Sequence, residues 1–466
     1  MIVIAEFIRI YKYVFKTVTG YNRLFVWAII WISVDGFPLI PLNTNNRPLS
    51  IVFLLSFWVI TKIQKIQFSK FEIQVFYSYL FLLIFSIIQS GFVLHSFRPV
   101  LKFGITGLFS FITISCCFIF FSSIIRKGSF EVLMKVITYI LIISSIVPIV
   151  IGFLQVFALH IVASRQFLDP LFNFFSIDTD VYSMNRIKLT SNEPAQAGTY
   201  LLFVITFVWN FYNDNSYFKK VYLFILFVLL LFINSSVTYI ILILLISASW
   251  LFLEPKNPTR VFRFSGIAFS TLGVSYIVGT YFLSDYTMNR FIQIFELIND
   301  TRMETWIRLA STDFSILDRF GTPIFGFISL KYTDMIGTGG EGFFLVYEKL
   351  LYDLFPELTS NSTLTSLLEN DVQMTVKFLP SKIAAEFGVI GFIFFVYNII
   401  RIYSINYYRY KLQHSVMHKG ICVCILFSIL SSYMASYFHF TTILIFMLCY
   451  FAASSNICHA HENLIR

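Results

Sequence analysis

The chain has 466 residues, 57% of them hydrophobic and 13% charged, too little polar surface for a soluble protein of this length. That composition predicts an all-α polytopic membrane protein. Its formal net charge of +9 does not mark a nucleic-acid-binding surface, because Lys and Arg gather in short segments between apolar runs, where they set topology.

In chain order, the first element is an aromatic, amphipathic stretch carrying Arg9, Lys12, Lys16 and Arg23, with no small-residue cleavage site before the first apolar run. It is expected to be a retained helix at the inner membrane surface rather than a signal peptide. About twelve apolar runs then approach the roughly 20 residues that a membrane span requires. They lie near 24–40, 49–61, 73–92, 100–124, 136–160, 196–212, 221–233, 237–253, 264–283, 382–400, 420–438 and 441–457. Only Asn234-Ser235-Ser236 divides the seventh from the eighth. With the N-terminus inside, Lys62, Lys65 and Lys70, then Arg126, Lys127 and Lys135, then Lys219 and Lys220, fall on the inner side. The short outer loops hold only Arg47, Arg98 and Lys102, the asymmetry of the positive-inside rule. Three regions follow: a membrane region 1–283 of about nine spans with an outer loop near 161–195, a large outer loop 284–381, and a membrane region 382–466 of about three spans. Both termini are expected inside. The six cysteines fall within or at the ends of apolar runs, so no outer disulfide framework is available, and Cys422 and Cys424 read as helix packing rather than a metal site.

The two outer loops hold the residues that can carry chemistry. The smaller one ends in "NRIKLTSNEPAQAG", which sets Arg186, Lys188 and Glu193 at the mouth of a span. An interfacial anchor, with Pro194 in the first helical turn, explains these charges, and so does a functional site. The larger loop opens with an expected interfacial helix near 284–299. There Thr301 followed by Glu304 reads as a capping box, predicting a helix from Arg302. Arg at a helix N-terminus opposes the dipole, so an anionic ligand would account for it. Trp306 shares the face of Arg302 one turn on, and Arg308 points roughly 240° round the helix. Further along, "GTGGEG" reads as a flexible turn, since it lacks the Lys and Ser or Thr of a P-loop. Two arginines from separate loops can clamp one diphosphate bidentately. No acidic cluster has metal-ligand spacing, so neither metal nor cofactor is expected.

These motifs resemble the O-antigen polymerase (Wzy) and O-antigen ligase superfamily of bacterial inner-membrane glycosyltransferases. "RIKLTSNEPAQAG" is similar to its loop pattern of an Arg, a Glu-Pro pair and a small residue entering a span. "RMETWIRLAS" with the later "PIFG" is similar to its Arg-x-x-x-Trp and Pro-x-x-Gly, and "AAEFGVIGF" to its Glu-x-Gly-x-x-Gly. Order and topology match over most of the chain. The resemblance implies metal-independent, inverting glycosyl transfer from a polyprenyl-diphosphate donor at the periplasmic face. Arg186 and Arg302 would hold the diphosphate, with Lys188 and Trp306 as neighbouring substrate contacts. The long gap from Arg302 to Gly326 keeps Arg308 as the alternative. Glu193 and Glu386 are the carboxylates able to activate an acceptor hydroxyl, with capping of its helix as the alternative role for Glu386. Ligases carry a His shortly before the Glu-x-Gly-x-x-Gly motif. Here no His lies between His160 and His414, and that place falls near Lys377. A polymerase of lipid-linked repeat units is therefore expected, with a ligase or a lipid-linked oligosaccharide flippase as alternatives. The expected partners are polyprenyl-diphosphate-linked oligosaccharides, membrane lipids and a chain-length regulator protein, without nucleic acid.

Overall fold

A computed structural model describes residues 2–34, 49–64, 68–174, 186–191, 193–233, 235–253, 302–370, 374–432 and 440–454, together with 292–293, 296 and 300. The expected ninth run at 264–283, most of the interfacial stretch 284–299, and Thr301 of the expected capping box lie outside the described residues. Among the described residues the structure is helical throughout, without strands.

The first region comprises α1 (Ile2–Thr17), α2 (Asn22–Ile30), α3 (Leu49–Gln64), α4 (Lys70–Ser86), α5 (Arg98–Lys127), α6 (Phe130–Ser144), α7 (Ile146–His160), α8 (Arg165–Phe174), α9 (Pro194–Phe211), α10 (Ser216–Ile233) and α11 (Ser236–Leu253). The large loop contributes α12 (Met303–Thr312), α13 (Thr322–Ile328), α14 (Phe344–Leu354) and α15 (Ser362–Glu369). The last region comprises α16 (Leu379–Gln413), α17 (Val416–Ser431) and α18 (Phe440–Ser454). Among the described residues, five helical segments are long and apolar enough to cross a membrane: Lys70–Val93, Arg98–Lys127, Phe130–His160, Ser216–Ile233 and Leu379–Gln413. Shorter apolar helices accompany them, among them Leu49–Gln64 and Val416–Ser431. This architecture is consistent with a membrane protein.

Local chemistry sets several boundaries. Ser69 and Glu72 form a reciprocal capping box that starts α4, and the buried Glu72 is also neutralised by Lys62 of α3 at 2.6 Å. Pro148 cannot donate into the preceding turn, and the chain steps from α6 to α7 at Ser145. The expected break between 233 and 237 is present, with α10 ending at Ile233 and α11 starting at Ser236. Helix α12 starts at Met303, one residue later than expected. Arg302 occupies its N-cap in an extended conformation, because Asp300 accepts the Arg302 backbone N–H at 3.2 Å and the Thr305 hydroxyl at 2.7 Å.

Two large cores and one small one organise the described residues. In the main one Phe25 stacks on Phe120 with ring centroids 4.4 Å apart, and α17 packs against α9, α11, α16 and α18. The large loop has a core of its own, in which Trp306, Leu317, Phe325, Tyr347 and Phe355 meet. It is a folded layer rather than a flexible excursion.

The turn read from "GTGGEG" is a tight strap over a broken helix. Within α16, Gly388 has φ 69° and ψ −170°, which leaves the carbonyls of Ala385 and Glu386 without their usual intrahelical donors. The strap supplies them: Thr338 N–H donates to Ala385 at 2.9 Å and Gly339 N–H to Glu386 at 2.8 Å. On its other side, the Ser90 hydroxyl donates to the Thr338 carbonyl at 2.5 Å, and Gly340 N–H donates to the Ser86 hydroxyl at 2.8 Å. A Cβ on Gly337 would come within 2.6 Å of the Glu386 carbonyl oxygen, so glycine is required for this approach.

Candidate functional site

The segment 186–191, which leads into α9, is pinned by its neighbours. Gln155 of α7 is buried, and its amide oxygen accepts the Lys188 and Leu189 N–H groups at 3.1 and 3.0 Å while its nitrogen donates to the Leu189 carbonyl at 2.9 Å. The Thr190 hydroxyl donates to the Ser33 carbonyl at 2.7 Å. Ile187 and Leu189 are buried, whereas Arg186 and Lys188 alternate with them and remain half-buried. Pro194 occupies the first turn of α9, as expected, and Glu193 precedes it with an exposed side chain that does not cap the helix.

The charge of that exposed carboxylate acts on the large loop. Between α12 and α13 the chain makes a π-helical turn over Leu317–Gly321, a wide turn often found at functional sites. It presents Asp318 next to Lys377, with Nζ 3.5 Å from Oδ2. Thr322 fastens the two segments, its hydroxyl donating to the Asp318 carbonyl at 2.5 Å and accepting the Lys377 N–H at 3.1 Å. Burial pushes the Asp318 carboxyl above its ordinary range. Lys377 and Arg319 pull the other way, and the charge of Glu193 adds to the rise. Glu193, Asp318, Arg319 and Lys377, from three separate segments, therefore share one electrostatic neighbourhood. Tyr347 of α14 joins it, since burial and the Asp318 charge both raise its phenol above the ordinary value.

The other expected site residues are placed differently. Arg302 is 74% exposed and holds Asp300 at 2.7 Å, a contact that raises its guanidinium further above the ordinary value. Arg308 is paired with Glu296. Trp306 lies in the core of the large loop, edge-on to Phe325 and Phe355, where its packing holds Arg302 and Arg308 on a fixed helix. Glu386 neither caps α16 nor faces solvent. It is 4% exposed and lies 3.5 Å from Lys382, which reaches Glu341 at 2.7 Å. Lys102 of α5 approaches Glu341 from the other side at 3.1 Å. Burial opposes ionisation of Glu341, but Lys382 and Lys102 outweigh it and hold the carboxyl below its ordinary range.

Sequence reading missed Asp318, Tyr347, Gln155 and Glu341. The spacing of Lys382 and Glu386, one turn apart, is a legible signal, but nothing local to Asp318 announces Lys377. Among the described residues, no group of three His, Cys, Asp or Glu side chains could hold a metal ion. Compared with protein-family models, curated proteins and solved structures, the chain matches none.

Proposed function

We propose that this chain polymerises polyprenyl-diphosphate-linked oligosaccharide repeat units at the periplasmic face of a bacterial inner membrane. The observation that supports the reading is the pair of Asp318 and Lys377 in the large loop, 3.5 Å apart, on whose carboxyl the charge of Glu193 from the smaller loop also acts. A reaction between two lipid-linked glycans requires both to be held together, and a site shared by two loops is suited to that. In this reading Arg186, on the pinned loop, and Arg302, on the rigid N-cap of α12, bind the donor diphosphate. Arg302 exchanges Asp300 for phosphate oxygens, a substitution its exposure allows and its planar fork favours. Lys188 adds positive charge beside Arg186. As the bond from the anomeric carbon to the diphosphate lengthens, the arginines stabilise the growing negative charge. One displacement inverts the anomeric centre.

The test is deletion of the gene, followed by gel separation of surface glycolipid. A polymerase deletion leaves single repeat units on the lipid core, attached by the cell's separate ligase. Bare core with retained long lipid-linked polymer would identify a ligase instead and overturn the proposal.

A further inference from the structure

The sequence offers Glu193 and Glu386 as groups to activate the acceptor hydroxyl, and neither has suitable geometry. Glu386 is sealed beneath the strap with Lys382 and Glu341, and Glu193 stands in solvent at the start of α9. Asp318 differs from both. Its side chain is 21% exposed, so it is reachable yet sheltered, and it is held by the π turn and by Thr322. Lys377 fixes one carboxylate oxygen from the side.

We propose that Asp318 is the base that accepts the proton of the acceptor sugar's hydroxyl, with Lys377 positioning the carboxylate. The inference rests on the polymerase reading. In the step, the acceptor oxygen forms a bond to the donor's anomeric carbon while the bond from that carbon to the diphosphate oxygen breaks. The electron pair leaves with the polyprenyl diphosphate, and the acceptor proton passes to Asp318, which returns it to solvent across its exposed edge.

Lys377, Arg319, Glu193 and Tyr347 are the charged and titratable groups facing Asp318. The working form is the carboxylate, and burial raises its pKa, so the rate falls as pH drops through that raised value. Removing the Lys377 charge raises it further and moves the acid limb of the pH profile to higher pH. A purely structural Lys377 would lower the rate equally at every pH.

The experiment measures chain extension against pH in membrane vesicles carrying the full chain, supplied with lipid-linked repeat units extracted from the deletion strain. Asp318→Asn is expected to lose at least about 100-fold. Lys377→Met is expected to move the acid limb up by about one pH unit, and Lys377→Arg to keep it in place. Asp318→Asn extending within about threefold of wild type, at normal protein level, overturns the assignment of the base alone. So does an unmoved acid limb in Lys377→Met, which stays informative if Asp318→Asn does not fold. Wild-type vesicles that extend nothing overturn the polymerase reading, and this assignment with it.

Discussion

Arg302 and Arg308 each hold a carboxylate at the surface of the large loop, Asp300 and Glu296 respectively. Water and salt screen such exposed pairs, so an incoming diphosphate with two adjacent charged groups can displace either acid. Arg302→Ala is accordingly expected to lose most chain extension, and Arg302→Lys to recover part of it because the ammonium lacks the bidentate fork. Asp300→Asn, which frees the guanidinium, should retain or raise the rate. Extension assays on the three variants at matched protein levels check this, and full activity in Arg302→Ala would exclude a diphosphate role for that residue. At this scale the sequence shows which side chains are charged but not which of them meet. Arg302 and Trp306 are legible as one helix face, yet Trp306 turns into a core whose other members lie far along the chain. Asp318 and Lys377 become neighbours only through the π turn and Thr322, and neither device leaves a local pattern.

Helices are legible because a long apolar run has few ways to satisfy its backbone away from water. From residue 49 onward, the runs that fall among the described residues lie on helices. The break in α16 is not legible in that way. Gly388 stands inside an apolar run, and only the strap packed against it explains its positive φ. A Cβ there would collide with the carbonyl oxygens of Met335 and Ile336. Gly388→Ala should therefore cost roughly 3 kcal/mol through backbone strain and displacement of the strap. Gly20 shares a positive φ but has nothing within 4 Å of where a Cβ would be, so Gly20→Ala should cost about 1 kcal/mol. Thermal unfolding of the detergent-purified variants separates them, and equal losses would refute a special role for the break.

At the scale of the whole molecule, two polar junctions tie together segments far apart in the chain. At one junction α1 is fastened by Arg9, which bonds Glu6 and reaches the Tyr139 hydroxyl at 2.9 Å and Asp214 at 2.9 Å. Burial resists ionisation of Asp214, but Lys135, Tyr139 and Arg9 bring its carboxyl down to about 2. Its contribution is thus complete above the ordinary carboxylate value and is lost only as pH falls through about 2, so the fastening persists throughout the physiological range. The proposed orientation puts this cluster inside and α12 outside. In a cysteine-free background, Met303→Cys should react with an impermeant thiol reagent in intact spheroplasts, and Asn213→Cys only after lysis. The reverse pattern would invert the topology. At the other junction, the strap joins partners 248 and 254 residues apart in the chain, Ser90 to Thr338 and Ser86 to Gly340. At the usual pace of synthesis, α4 waits roughly 12 to 50 s after leaving the ribosome before that glycine-rich segment exists. The seat for the strap is therefore made early and filled late, and the ion cluster of Lys102, Glu341 and Lys382 closes only near the end of translation. Birth order along the ribosome thus makes this junction a late step of assembly, with α17 and α18 alone among the described helices still to be added.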